Sequence, residues 1–163
     1  MSIEFLPDAV SEDAHDHALC LARTLAAAER VCGQRGGRLT PQRRRVLEVV
    51  AARHVAVGAY DIINALAEEG RRPAPISVYR ALDFLVSRGL IHRVDSLSAF
   101  VLCASPGASH KAQFLICQRC RDIAELRSDA VNAAIGDGAA AVGFTVSSAA
   151  VEVSGLCRAC GRL

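Results

Sequence analysis

Four cysteines in this chain stand at a spacing that holds metal. Cys117-Gln-Arg-Cys120 and Cys157-Arg-Ala-Cys160 form two Cys-x-x-Cys knuckles. Two residues between thiols let both sulfurs reach one ion from a tight turn, and four thiolates complete a closed tetrahedral structural zinc site. Residues 121–156, between the knuckles, fit a strand, a helix and a strand whose ends return together. The rival chemistry is a thioredoxin-like redox pair. That needs a single knuckle at a helix start in a βαβ unit, and here there are two.

A second ligand set is more scattered. IHRVDSLSAFVLC reads as two short strands around Ser96-Leu97-Ser98. With the turn centred between Leu97 and Ser98, Val94 faces Val101, Arg93 faces Leu102 and His92 faces Cys103. Directly opposed side chains share a face about 5 Å apart, so an imidazole and a thiol there could share one ion. His110 follows seven residues after Cys103, and Glu125 lies on the strand after the first knuckle, on the face of Ile123. His92, Cys103, His110 and Glu125 together offer nitrogen, sulfur, nitrogen and oxygen, all donors that zinc accepts. A thiolate with imidazoles suits zinc better than manganese or magnesium. The competing reading is a surface histidine, a solvated carboxylate and a small buried cysteine. His15-Asp16-His17 is a weaker metal candidate in an acidic stretch. Cys20 and Cys32 read as packing residues of a first helix, and His54 as a polar residue in a helix-to-loop turn.

A third group of residues suits nucleic acid. Arg80 stands in the first turns of the helix ISVYRALDFLVSR, and Tyr79 and Arg80 are off the inward face set by Val78, Leu82, Leu85 and Val86. An arginine there can make a bidentate contact with guanine. Arg43, Arg44, Arg45 and Tyr60 suit phosphates or the groove edge, although an arginine run also reads as a solvated helix face.

The elements that must position these residues follow from periodicity. Leu21, Leu25, Ala28 and Cys32 fall at helical spacing, and Gly33, Gly36 and Gly37 end that helix. Thr40-Pro41 starts a second helix through Val46, Leu47, Val49 and Val50. A third carries Ile62, Ile63 and Leu66, and Pro75 opens the fourth, which ends at Gly89. Helices followed by a β-hairpin make a winged-helix pattern. After the segment ASPGAS, residues 112–117 and 122–127 read as strands. Ser128 caps an alanine-rich helix to about Gly143, and FTVSSAAVEVSG reads as a strand. The organisation is a flexible acidic tail over 1–17, a winged-helix DNA-binding domain over 18–104, a hinge over 105–111 and a metal-binding domain over 112–163. The fold class is α+β, with an antiparallel sheet in the second domain.

Composition agrees with this plan. The 163 residues are 52% hydrophobic, with two tyrosines, five phenylalanines and no tryptophan. An alanine-rich core of that kind in two small domains calls for a staple. The net charge of +2 hides an asymmetry. Residues 1–33 carry 2 basic and 6 acidic side chains, residues 34–93 carry 11 and 5, and residues 94–163 carry 6 and 6. A basic middle points to an anionic partner. No stretch reads as a signal peptide or membrane span, which places the protein in the cytoplasm with reduced cysteines. The HExxH, GxSxG and Walker patterns are missing, and a four-ligand zinc leaves no open position, so the chain does not read as an enzyme.

RLTPQRRRVLEVV, AYDIINAL, ISVYRALDFLVSRGLIHRV, AFVLC, FLICQRC and GLCRAC together resemble the ferric uptake regulator family over about residues 20–161. Cys103 at the end of the wing and two complete knuckles look closest to the zinc uptake regulator branch. The stretch ASHKAQFLIC has one histidine where iron and peroxide sensors carry several, which argues against iron sensing. The resemblance implies a homodimeric repressor with an N-terminal winged helix and a C-terminal α/β dimerisation domain. It implies two zinc ions per subunit: a structural one on Cys117, Cys120, Cys157 and Cys160, and a regulatory one on His92, Cys103, His110 and Glu125. It carries DNA contact over to Tyr60 and Arg80, with Tyr79 in the same motif. The expected activity is zinc-dependent binding to near-palindromic operator DNA, without a membrane or a small-molecule substrate. The alternative is a regulator of the same family answering to another metal or to thiol oxidation.

Overall fold

The computed structural model describes residues 2–5, 17–52, 55–68, 70, 73–107 and 111–161. The chain starts on strand β1 (Ser2–Phe5) and then forms helices α1 (His17–Gln34) and α2 (Pro41–Ala51). Strand β2 (Val57–Gly58) leads into α3 (Ala59–Glu68) and α4 (Pro75–Ser87). A hairpin of β3 (Ile91–Val94) and β4 (Ala99–Leu102) follows. The rest is β5 (Gln113–Cys117), β6 (Ile123–Arg127), α5 (Asp129–Ala141) and β7 (Val151–Gly155). The chain divides into two compact units, residues 6–108 and residues 1–5 with 109–163.

In the first unit the helices stack around one apolar core. Thr40 caps α2 by accepting from the Arg43 N–H, with Pro41 in the first turn. That start aims Val46, Leu47 and Val50 at Ile62, Val78, Leu82 and Leu85. Helix α4 ends in a Schellman motif. The Leu90 N–H reaches the Leu85 carbonyl at 3.0 Å and the Gly89 N–H reaches Val86 at 2.9 Å. Gly89 sits at φ +65, a conformation that side chains resist. Val86, expected inward, is 38% exposed, because the buried stripe runs through Val78, Ala81, Leu82 and Leu85 instead.

The hairpin register differs from the sequence expectation by two residues. His92 pairs with Val101, Arg93 with Phe100 and Val94 with Ala99. A 3₁₀ turn at Asp95–Leu97 and Ser98 at φ 49 close a four-residue loop, which moves the turn centre back by one residue. Cys103 lies just past β4, its N–H donating to the Leu90 carbonyl at 3.0 Å. A slip of two keeps every side chain on its face, so His92 and Cys103 stay on one face as a diagonal pair. The short strand β2, invisible in the periodicity, pairs antiparallel with β4 and completes a sheet of order β2-β4-β3.

The second unit holds a sheet of order β1-β6-β5-β7. β6 pairs antiparallel with both β1 and β5, but β5 and β7 are parallel. The sheet is therefore mixed rather than wholly antiparallel. The reason is α5, whose crossover returns the chain in the direction of β5. Residues 2–5, expected within a flexible acidic tail, form an edge strand, with Ile3 opposite Leu126 and Phe5 opposite Ala124. The strand expected from Phe144 onward is confined to Val151–Gly155, and Phe144 is exposed. Ser128 caps α5 as expected by accepting from the Val131 N–H.

Candidate metal centres and nucleic-acid interface

The parallel pairing of β5 and β7 brings the two knuckles together. Cys117 ends β5 opposite Gly155, which ends β7, and the Gln118 N–H donates to the Gly155 carbonyl at 2.8 Å. Each knuckle is a closed turn. The Arg121 N–H reaches the Cys117 carbonyl at 3.0 Å with Arg121 at φ 65, and the Gly161 N–H reaches the Cys157 carbonyl at 2.8 Å. The four sulfurs lie within 4.8 Å of one another.

Two observations test whether a metal fits there. The Cys120 and Cys157 sulfurs are 3.7 Å apart, far beyond a disulfide bond, and all four cysteines are free. Tetrahedral zinc with sulfur ligands at about 2.3 Å needs sulfurs about 3.8 Å apart. The donors are also electrostatically prepared. Backbone N–H bonds from Cys120 and Cys157 hold the Cys117 thiol down to about 6, against 9.0 for an ordinary thiol. One of those donors is the Cys157 N–H, 3.4 Å from the Cys117 sulfur. Burial, reinforced by the neighbouring thiols, pushes Cys160 up to about 12. Four thiols that cannot all ionise in one another's company gain from a divalent cation among them.

The residues of the second ligand set are distributed between the units. In the first, a ring nitrogen of His92 and the sulfur of buried Cys103 lie within 4.8 Å. In the second, Glu125 is fully buried on β6, with the Arg127 Nε 3.9 Å from its carboxylate. Burying a carboxylate is costly unless a guanidinium, a metal or hydrogen-bond donors offset it. His110, His15 and His54 lie outside the described residues. His17 begins α1, and Cys20 and Cys32 lie on that helix, Cys32 buried in the core.

The groups expected to meet DNA separate into two kinds. Tyr60, at 67% exposed, and Tyr79, at 48%, stand out from α3 and α4. Arg80 is exposed beside Tyr79, and its guanidinium has no partner among the described residues. The arginine run of α2 is engaged within the protein. Arg43 lies over the Phe84 ring at 3.4 Å and donates to the Arg38 carbonyl at 2.7 Å. Arg44 pairs with Glu29, and Arg45 with Glu48. Arg88, not singled out from the sequence, donates to the Arg35 and Gly36 carbonyls and ties the end of α4 to the turn after α1. The periodicity showed Arg88 only as the basic end of a helix. It could not show which carbonyls lay within its reach.

Residues 34–154 match the model of the ferric uptake regulator family. The zinc uptake regulation protein of Escherichia coli (strain K12) is 39% identical over 137 residues, which cover 83% of this chain and 80% of that protein. The solved structure of holo XcZur is 40% identical and superposes with a TM-score of 0.80, covering 88% of this chain and 99% of its own. A zinc uptake regulator solved in complex with zinc and DNA is 36% identical, also at a TM-score of 0.80, covering 91% of this chain and 97% of its own. With its knuckles, winged-helix unit and second α/β unit in the order that the resemblance implied, this chain belongs to the ferric uptake regulator family, in the zinc uptake regulator branch.

Proposed function

We propose that this protein is a zinc-responsive transcriptional repressor that binds near-palindromic operator DNA as a zinc-loaded homodimer and controls genes of zinc uptake. One observation carries the reading: a histidine and a cysteine sit together at the wing of a module whose fourth helix presents an exposed arginine with no partner among the described residues. The likeness to a zinc uptake regulator in complex with zinc and DNA supports it. Among the described residues no helix is long and apolar enough to cross a membrane. We assign the protein to the cytoplasm and give it no catalytic role.

The proposal assigns two zinc ions to each subunit. Cys117, Cys120, Cys157 and Cys160 would hold one, which supplies a four-way crosslink to a unit whose helix α5 has no buried side chain. His92, Cys103, His110 and Glu125 would hold the other. Ligands drawn from both units make occupancy a restraint on the wing. Arg80 and Tyr79 on α4 then read bases, while Tyr60 contacts the backbone. Arg43 acts by packing on Phe84, and Arg44 and Arg45 reach phosphates only by giving up their carboxylate partners.

A homodimer places two reading helices about 34 Å apart, one helical turn of DNA. Strand β7 ends the sheet with one edge unpaired among the described residues. Val142, Phe144, Val153 and Leu156 are exposed in the same unit. An open edge with exposed apolar side chains favours pairing with a second copy.

The test is operator affinity across buffered free zinc, using DNA enriched from random duplexes with the zinc-loaded protein. Affinity should rise with zinc by the factor that a coupling of about 1–3 kcal/mol gives. Binding that is flat over the whole zinc range would refute the switch.

A further inference from the structure

Helix α4 presents two apolar side chains that neither the core nor the reading above uses, Val86 in its last turn and, near its N-terminal end, the more exposed Ile76. The buried stripe of the helix is Val78, Ala81, Leu82 and Leu85. The opposite stripe is Ile76, Tyr79, Arg80 and Asp83, all exposed. These stand at i, i+3, i+4 and i+7, so they form one surface. Three of them are polar or amphipathic. Ile76, at 60% exposed, is neither. A β-branched residue in a first helical turn gains nothing from helix propensity, and this one lies outside the apolar core. Its neighbour Ser77 is committed, its hydroxyl donating to the Ala74 carbonyl at 2.7 Å. Ile76 is therefore the leading uncommitted side chain of the reading helix.

We propose that Ile76 is a specificity residue that packs on the C5-methyl group of a thymine in each half-site. The inference rests on the DNA reading above and names what that same surface selects. The major groove offers one apolar group, the thymine methyl, and residues at the N-terminal end of a reading helix are those that meet base edges. Ile76 and Arg80 are one helical turn apart, about 6 Å along the axis. At 3.4 Å per base step, the thymine lies about two base pairs from the base that Arg80 reads. The pair gives one stripe that carries an exposed apolar residue and an exposed guanidinium a single use: the helix reads a methyl and a guanine edge side by side.

The test uses the zinc-loaded full chain and an operator enriched from random duplexes. Each thymine is replaced by uracil, symmetrically in both half-sites, so that only a methyl is lost. At one position the substitution should weaken binding about fourfold per half-site, the value of one buried methyl-sized group. Ile76→Ala should bind the thymine and uracil operators equally well. Because Ile76 is exposed, that variant should keep the thermal stability of the parent chain. Ile76→Val should retain part of the methyl effect. Indifference of the parent chain to every uracil would overturn the proposal. A methyl effect that persists unchanged in Ile76→Ala would overturn it too, assigning the methyl to another side chain. Failure to enrich any duplex is a separate result, which would overturn the DNA reading together with this inference.

Discussion

Cys103 illustrates how a single residue divides packing from sensing. It is buried like a core residue, yet its sulfur lies within 4.8 Å of a histidine nitrogen. Ser in its place is slightly smaller, keeps the branching of the side chain and replaces the soft sulfur donor with a hydroxyl. Cys103→Ser should therefore fold and dimerise normally while losing the zinc response of operator binding, a loss of about 5–150-fold at saturating zinc. Circular dichroism with binding across buffered zinc checks this, and an unfolded product would make Cys103 structural. The knuckle thiols allow a second expectation. Cys117, held at about 6, is a thiolate near neutral pH, whereas Cys160, pushed up to about 12, is not. Zinc loading must displace the proton of Cys160 but not that of Cys117. The four-cysteine site should then release fewer protons than it has thiols, and its affinity should rise with pH. Calorimetry in buffers of different ionisation enthalpy counts the protons. One proton per thiol would contradict the low value at Cys117.

Among the elements, α4 is legible from both ends. Pro75 opens it and Gly89 closes it, as the sequence predicts, and Gly89 sits at φ +65. Gly89→Ala places a Cβ in the left-handed region and should cost about 1–2 kcal/mol, read as a lower thermal midpoint of the zinc-loaded protein. The hairpin is less legible. Its turn lacks Asn-Gly or a similar signature, so the sequence leaves the register open. The period-2 pattern identifies which residues share a face, but a slip of two residues leaves that pattern unchanged. Strands β1 and β2 are hidden for a related reason. Two or four residues are too short for periodicity, and they become strands only because β6 and β4 offer them an edge.

For the whole molecule, the prediction concerns assembly. In the 109–163 unit Phe144, a large apolar side chain, is 67% exposed among the described residues. Phe144→Asp should shift the zinc-loaded protein toward monomer. The change removes burial worth about 1.5–3 kcal/mol per side chain and adds an unpaired charge. Sedimentation at several concentrations measures it, and an unchanged dimer would place Phe144 outside the interface. The loss of operator affinity in such a monomer would follow from losing the second half-site.

The sequence by itself determined the chemistry on offer. Cys-x-x-Cys spacing specifies local turns, the helical period specifies which face of α4 is buried, and Pro75 and Gly89 specify its ends. Each is a relation among residues within a few positions, set by backbone sterics and side-chain size. The tertiary structure decided which distant groups meet. The parallel pairing of β5 with β7 brings Cys157 beside Cys117. The fold also turns Arg43 onto Phe84, an engagement that a run of arginines cannot reveal, and leaves Arg80 and Ile76 facing outward. Whether a guanidinium is spent inside the protein or kept for a partner depends on which carbonyls, carboxylates and rings the fold brings within reach. That is a property of packing between distant segments rather than of spacing along the chain.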